Sequence, residues 1–374
     1  MIGSNVEGRN FFKKIDWNLA LVIVALNIIG LINVYSATHG HGEIGGSNRL
    51  FWQEIFWLAL GWGFYFFITL IDYAWFIRLS WVIYTLNLIA LVAVMFVGKI
   101  ALGAQRWLDF GFFSYQPSET MKVGLVLVMA KTLSTKSYPD GLGVKQLFFP
   151  LFILTGVPFL ITAEQPDLGS AMMLFITGAS ILFFLKIQRK LLVALAIVGI
   201  IGAVGAWFFA LHDYQRDRVY TFLDPARDPR GKGYNSIQSK IAVGSGRVLG
   251  KGFRKGTQSQ LEFLPERHTD FIYSVLSEEH GFVGSITVVG LFATLFLLMI
   301  KIASQARDKA GAILTVGIMA ILFWHHFINI GMVTGLLPIV GIPLPLLSYG
   351  GSSMLTTMVA LGLVSSVSYR KHMF

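Results

Sequence analysis

The sequence predicts a polytopic α-helical membrane protein, and three observations predict it. Mean hydropathy is +0.65. Only 13% of the 374 residues are charged, against about 25% in an ordinary soluble domain. Apolar runs of about 20 residues, enough to cross a bilayer as a helix, recur along the chain. The short alternating segments of a β-barrel are missing from the sequence.

Ten spans follow in order. The first 16 residues are polar and carry Arg9, Lys13 and Lys14, and the apolar run after them is full length. Span 1, 17–37, therefore reads as an uncleaved anchor. Spans 2 (54–71) and 3 (75–98) meet at Asp72-Tyr73-Ala74 in a tight hairpin. Span 4 (117–133) starts at "SYQPSETMK", with Pro117 in its first turn. Span 5 covers 147–163. Span 6 (167–185) starts at "EQPDLGSAM", with Pro166 in the first turn and Asp167 opening it. Proline marks helix starts because the first turn needs no N–H donor there. Spans 7 (190–210), 8 (282–300) and 9 (310–333) follow, span 8 behind the polar "RHTD". Span 10 (349–369) opens on the Gly/Ser-rich "PLLSYGGSS", which includes Ser352.

Lysine and arginine set the orientation. With the N-terminus inside, inner segments hold fifteen of them and the four short outer loops hold Arg49, Lys99 and Arg106. That bias places both termini in the cytoplasm. One long connection, roughly 211–269, then lies outside, or about 211–281 with the charged stretch that leads into span 8. It carries eleven Lys/Arg against six Asp/Glu, so it suits an anionic ligand or phospholipid head groups. Its Gly-punctuated apolar piece, 237–249, is expected to be partly helical on the membrane surface. There is no clear repeat, and 1–374 reads as a single domain.

Several function classes drop out. With no cysteine there is no disulfide, iron–sulfur cluster or thiol catalysis. A net charge of +10 in such a greasy chain points to cytoplasmic positive charge and anionic lipid, not nucleic acid. The GxG pieces at 231–233 and 244–246 follow no strand, so neither a nucleotide nor an organic cofactor is expected.

Ionisable residues in or at the mouths of spans are costly, and each is a functional hypothesis. Glu119 and Lys122 stand three apart on one face of span 4. Asp167 opens span 6, and Asp270, Glu278 and Glu279 lead into span 8. The even-numbered spans start on the outer side, where free N–H groups and positive dipole ends favour anions. The expectation is an external cavity holding a phosphate or diphosphate beside a carboxylate, with four helix starts converging on it. Arg106 and Trp107, in a glycine- and aromatic-rich outer loop, and Arg218, in the basic connection, join the candidates. Ordinary capping remains open for the acids, a self-neutralising pair for Glu119 and Lys122, head-group anchoring for Arg216 and Arg218, and packing or hydrogen bonding, rather than metal ligation, for His325 and His326.

The blocks "RWLDFGFFSYQPSETMK", "QPDLGSA", "GLLPIVGIPLPLLSYGGSS" and the long stretch 218–284 resemble, in order, the SEDS family (shape, elongation, division and sporulation proteins). "LPERHTDFIY", with Arg267 after Glu266, and "GKGFRKGTQSQ" resemble its elongation type more than its division type. Arg247, where relatives often carry glycine, is a small departure. The resemblance implies a glycosyltransferase that polymerises lipid II into peptidoglycan at the outer face of the bacterial cytoplasmic membrane, during elongation of rod-shaped cells, releasing undecaprenyl diphosphate. It implies a class B penicillin-binding protein as partner. It also implies that Asp270 is the catalytic aspartate, and that Glu119, Lys122 and Asp167 are the family's polar residues. Arg106, Trp107, Arg218 and Ser352 are further candidates for substrate contact. A divalent cation, magnesium or manganese, is a candidate cofactor, with Asp270 as base or as metal ligand. A lipid II flippase, a division-type polymerase and a non-catalytic scaffold are the rival readings.

Overall fold

A computed structural model describes residues 15–39, 48–101, 104–111, 113–209, 213–228, 231–261 and 263–371. Arg9, Lys13 and Lys14 lie outside the described residues. Helices form over every segment expected to span: α1 Trp17–Thr38, α2 Asn48–Leu70, the one-turn-and-a-half α3 Tyr73–Arg78 with α4 Ser80–Val97, α5 Pro117–Ser134, α6 Val144–Glu164 and α7 Leu168–Phe184. They continue with α8 Arg189–Phe209, α9 Asp213–Leu223, α10 Lys232–Ser245, α11 Thr257–Gln260, α12 Ile272–Ser304, α13 Lys309–Thr334 and α14 Gly351–Tyr369. Among the described residues eight helices are long and apolar enough to cross a membrane. The two expected spans outside that set are α5, which carries Glu119, Lys122 and Lys131, and α7, with 17 residues.

Aspartate caps set several helix starts. Asp16 accepts from the Leu19 amide at 3.3 Å, Asp72 from Ala74 at 2.9 Å, Asp167 from Ser170 at 3.2 Å and Asp308 from Gly311 at 2.7 Å. Each satisfies an amide that the first helical turn leaves without a partner. Pro117 is the first residue of α5, as expected, whereas Pro166 precedes the Asp167 cap and stands outside α7. A left-handed Gly335 (φ 76°) closes α13, a conformation that costs other residues a Cβ clash.

α5 and α13 form the centre. α5 is buried from Pro117 to Leu133 on nearly every face, enclosed by α4, α7, α13 and α14. This explains its mixed composition: its polar and charged residues pack among other helices. α8 is the opposite case, with exposed apolar residues such as Val193, Ile197 and Phe208 along its length, a surface suited to lipid.

Two features depart from the sequence-based expectation. The loop after α4 folds into a three-stranded antiparallel meander, β1 Lys99–Ala101, β2 Ala104–Asp109 and β3 Ser114–Tyr115. The span expected to begin at 282 starts ten residues earlier, because α12 continues back through a kink at Gly281 (φ 64°, ψ −158°) to Ile272. A side chain at 281 would collide with the backbone of Val248 and Gly250. The long connection is not a floppy loop: it forms α9, α10 and α11, and α10 packs on α12 and α13.

That leading segment of α12 buries Glu278 completely. Its carboxylate accepts from Lys251 Nζ (2.7 Å), Thr257 Oγ1 (3.2 Å) and the amides of Gln258 (3.0 Å) and Ser259 (3.3 Å). Neighbouring Glu279 accepts from Ser36 Oγ of α1 at 2.5 Å. Both glutamates are therefore structural pairs that tie the connection to the bundle, not cavity-lining groups. Glu278→Ala should destabilise the fold by about 3–5 kcal/mol, because Lys251 and two amides lose their acceptor in a buried setting. Thermal unfolding in detergent checks this, with a lower midpoint expected.

Candidate functional site

The starts of α5, α7 and α14 and the residues leading into α12 meet at one cavity of about 260 Å³. From the sequence-derived candidates it collects Arg106, Trp107, Glu119, Lys122, Asp167, Asp270 and Ser352. Arg218 does not join them; it lines a separate small cavity with Thr221, Ser236 and Leu337.

The backbone leading into α12 is held from several sides. Asn329 of α13 donates from Nδ2 to the Asp270 carbonyl (2.8 Å) and to the Ile342 carbonyl (2.7 Å). Ser348 Oγ donates to the Thr269 carbonyl at 2.7 Å, and the Tyr349 amide to the His268 carbonyl at 2.9 Å. Arg267 Nε donates to the Ala37 carbonyl of α1 at 2.6 Å. Gly341, in the left-handed region (φ 74°), lets Asp270 approach: a Cβ there would lie 3.2 Å from Asp270 Oδ2.

Asp270 precedes α12, and its carboxyl is pushed up to about 7, first by its withdrawal from water and then by the negative charges of Glu266 and Asp167. Asp167 has a double duty. One oxygen caps α7, and the other accepts from Gln116 Nε2 at 3.4 Å and faces Arg106 Nε at 4.0 Å.

Deeper in the cavity lies a chain of three side chains. Lys122 Nζ donates to Glu119 Oε1 at 2.7 Å and to His325 Nε2 at 2.9 Å. His325 Nδ1 donates to the Ile321 carbonyl at 2.7 Å, so this imidazole is the neutral tautomer with its proton on Nδ1. Lys122 and Glu119 are both buried, which requires the pair to form. The ammonium retains a third N–H direction, and the same cavity touches Ser352 and Ser353. Glu119 and Lys122 thus form the buried pair, and both line the cavity. His325, expected to pack or hydrogen-bond, does the latter inside this cavity; His326 packs against Phe292, with ring centroids 4.2 Å apart and the rings tilted by 37°. Gln116, Glu266, Ser353 and Gly341 also line the cavity, and sequence reasoning did not single them out as ligands.

Two further cavities adjoin. An apolar one of about 410 Å³ lies between α2, α4, α5 and α14, lined by Phe64, Ile83, Val123, Leu127 and Leu355, and it shares Ser352 with the charged cavity. A third, of about 400 Å³, sits beneath the β-meander.

Among the described residues no group of three or more histidine or carboxylate side chains could hold a metal alone. Asp270 and Asp167, which repel each other, form a donor pair that suits a hard cation completing its shell with water and phosphate oxygens.

A family model of cell cycle proteins, FTSW_RODA_SPOVE, matches residues 16–373. The Escherichia coli K12 peptidoglycan glycosyltransferase MrdB is 40% identical over 374 residues, covering 99% of this chain and 98% of that protein. The Treponema pallidum peptidoglycan glycosyltransferase RodA is 31% identical, covering 95% of this chain and 98% of that protein. Among solved structures, a chain of a peptidoglycan synthase complex that coordinates polymerization and crosslinking superposes with a TM-score of 0.82 at 28% identity, covering 96% of this chain and 99% of that one. The crystal structure of Thermus thermophilus RodA superposes with a TM-score of 0.70 at 26% identity, covering 96% and 98%.

Proposed function

We infer the activity from the premise that this chain belongs to the FTSW_RODA_SPOVE, or SEDS, family of cell cycle proteins: it is a peptidoglycan glycosyltransferase that polymerises lipid II during elongation and maintenance of rod shape. One observation supports the chemistry most directly. A carboxyl group with a raised pKa, a buried lysine and an arginine share a cavity that adjoins an apolar one.

In our reading Asp270 is the base. It takes the proton from the sugar 4-hydroxyl as that oxygen bonds to C1 of the donor sugar. The C1–O bond to the diphosphate breaks, and the diphosphate leaves with the electron pair. Lys122 and Arg106, with the amides at the start of α14, offset the charge that builds on it. Glu119 and His325 hold the Lys122 ammonium in place. Ser352 sits where the charged and apolar cavities join, and the apolar one suits a polyprenyl tail. A divalent cation bound at Asp270 and Asp167 would supply further positive charge to the diphosphate. Ten spans, cytoplasmic termini and an outward-facing site complete the reading. The fifteen-to-three Lys/Arg bias supports that orientation. A class B penicillin-binding protein is the proposed partner, consistent with the likeness to a synthase complex that polymerises and crosslinks.

The test is direct. Purified protein in detergent, with its partner, lipid II and magnesium, should produce glycan chains resolvable by gel; a flippase would leave lipid II unjoined.

The acid–base assignment predicts a pH profile. Ionised Asp270 is the productive form, so kcat/KM should fall about tenfold per pH unit below about 7. Raising the magnesium concentration should move that limb to lower pH if the cation binds at Asp270. A limb that stays near the ordinary aspartate range at all magnesium concentrations would remove Asp270 as the titrating base.

A further inference from the structure

The cavity beneath the β-meander has no role in the mechanism above. It holds about 400 Å³, ample for a small ligand, and it runs into the charged cavity: Trp107, Thr269, Tyr349, Gly350 and Ser352 line both. Its own wall brings Gln53 and Trp57 from α2, Phe113, and the pair Lys99 and Asp109 from the meander.

The chemistry of this wall differs from that of the charged cavity. Among the described lining residues the one lysine is paired with the one aspartate at 2.8 Å, so the two charges offset each other. It brings the aromatic side chains of Trp57, Trp107 and Tyr349 together with neutral polar groups at Gln53 and Ser114. A wall of that kind fits an uncharged ligand with apolar C–H faces and hydroxyls at its rim, because aromatic faces carry negative partial charge that attracts C–H groups. Among the described residues that line it, the lysine of that pair is the only cation.

The wall is also cross-tied by close contacts. Trp57 lies on the Gly351 backbone so closely that a Cβ at 351 would be 2.6 Å from the indole. Tyr349 donates its hydroxyl to Gln53 Oε1 at 3.0 Å, and the Gly350 amide donates to buried Glu54 at 3.3 Å. α2 thereby fixes the residues that enter α14 and face both cavities. A ligand binding here loses little in ordering the protein.

We propose that this cavity is a pyranose subsite: Trp57, Tyr349 and Gln53, with the Lys99–Asp109 pair at the rim, bind a neutral N-acetylhexosamine ring adjacent to the one that reacts at Asp270. The assignment rests on the glycosyltransferase reading for the identity of the sugar. The ring belongs either to the growing glycan or to incoming lipid II, and the two make the same contacts.

The test uses the full chain with its partner and the variants Trp57→Leu, Gln53→Ala and Lys99→Ala. The last two alter a hydrogen bond or an exposed side chain and leave the core intact. Polymerisation is measured as KM for lipid II, kcat and product length. Loss of a stacking face or a hydrogen bond should raise KM about tenfold with a smaller change in kcat if the ring is that of lipid II. It should shorten the chains at unchanged KM if the ring is that of the growing glycan. Either result supports the subsite. Folded variants with wild-type KM, kcat and chain length would overturn it. A soluble β-1,4-linked N-acetylglucosamine tetramer is the second probe. It should give a saturable change in tryptophan fluorescence that Trp57→Leu removes, and this readout needs no catalysis. Wild-type protein that makes no glycan yet binds the tetramer would overturn the polymerase reading and keep the subsite. Wild-type protein that polymerises while all three variants match it in every measurement would do the reverse.

Discussion

Asp270→Asn is expected to reduce glycan synthesis by about 10²–10⁴-fold, the range a positioned general base contributes. The substitution keeps the shape of the side chain and the two backbone contacts around it, since Asn329 and Glu266 bond to main-chain atoms of 270 and 271. Folding should therefore survive, and stability should rise. The folded-state pKa of Asp270 is raised from 3.8 to about 7. Between those values the native state holds a proton that the unfolded chain releases, so the carboxyl costs stability as pH climbs through that window. Asp270→Asn removes the cost. Its unfolding midpoint should exceed wild type above pH 7, and the difference should vanish below about pH 4. Full polymerase activity in the purified variant would refute the assignment.

Lys122→Met is the second large effect, and it should strike both stability and activity. The ammonium is buried between Glu119 and His325. Removing it leaves a buried carboxylate without its counter-charge, at a cost of about 3–5 kcal/mol. Glu119→Gln combined with Lys122→Met removes both charges and should recover most of the thermal stability, because a neutral pair of similar volume avoids the desolvation cost. Glycan synthesis should not return, since the double variant still lacks the cation proposed for the diphosphate. A double variant that regains activity along with stability would make Lys122 purely structural.

Much of the site was legible in the chain itself. Pro117 and Asp167 announce helix starts, and the structure uses both as such. The helix starts singled out by their acids or by a Gly/Ser-rich entry, with the residues leading into α12, do meet at one cavity. His325 was not legible as a site residue. Its role depends on Lys122, 203 residues away in sequence, and an isolated histidine on an apolar helix gives no sign of such a neighbour. Glu278 and Glu279 looked the same from the sequence as the acids of the cavity. Their partners, Lys251 and Ser36, lie far away in the chain, and only the packing of the 246–260 segment and of α1 against α12 separates their roles. Arg218 shared the composition of a phosphate-binding residue, yet the path of the long connection carries it to another cavity.

The sequence by itself determined that this is a helical membrane protein with polar groups at its helix starts, and its ordered motifs identified the family. Those properties are local: hydropathy, caps and motif residues act through neighbours a few positions apart. The tertiary structure alone decided which charges pair, where Gly281 breaks α12, and which walls the cavities share. Those outcomes depend on the burial of side chains against distant elements, where a charge is tolerated only beside the partner that packing brings to it.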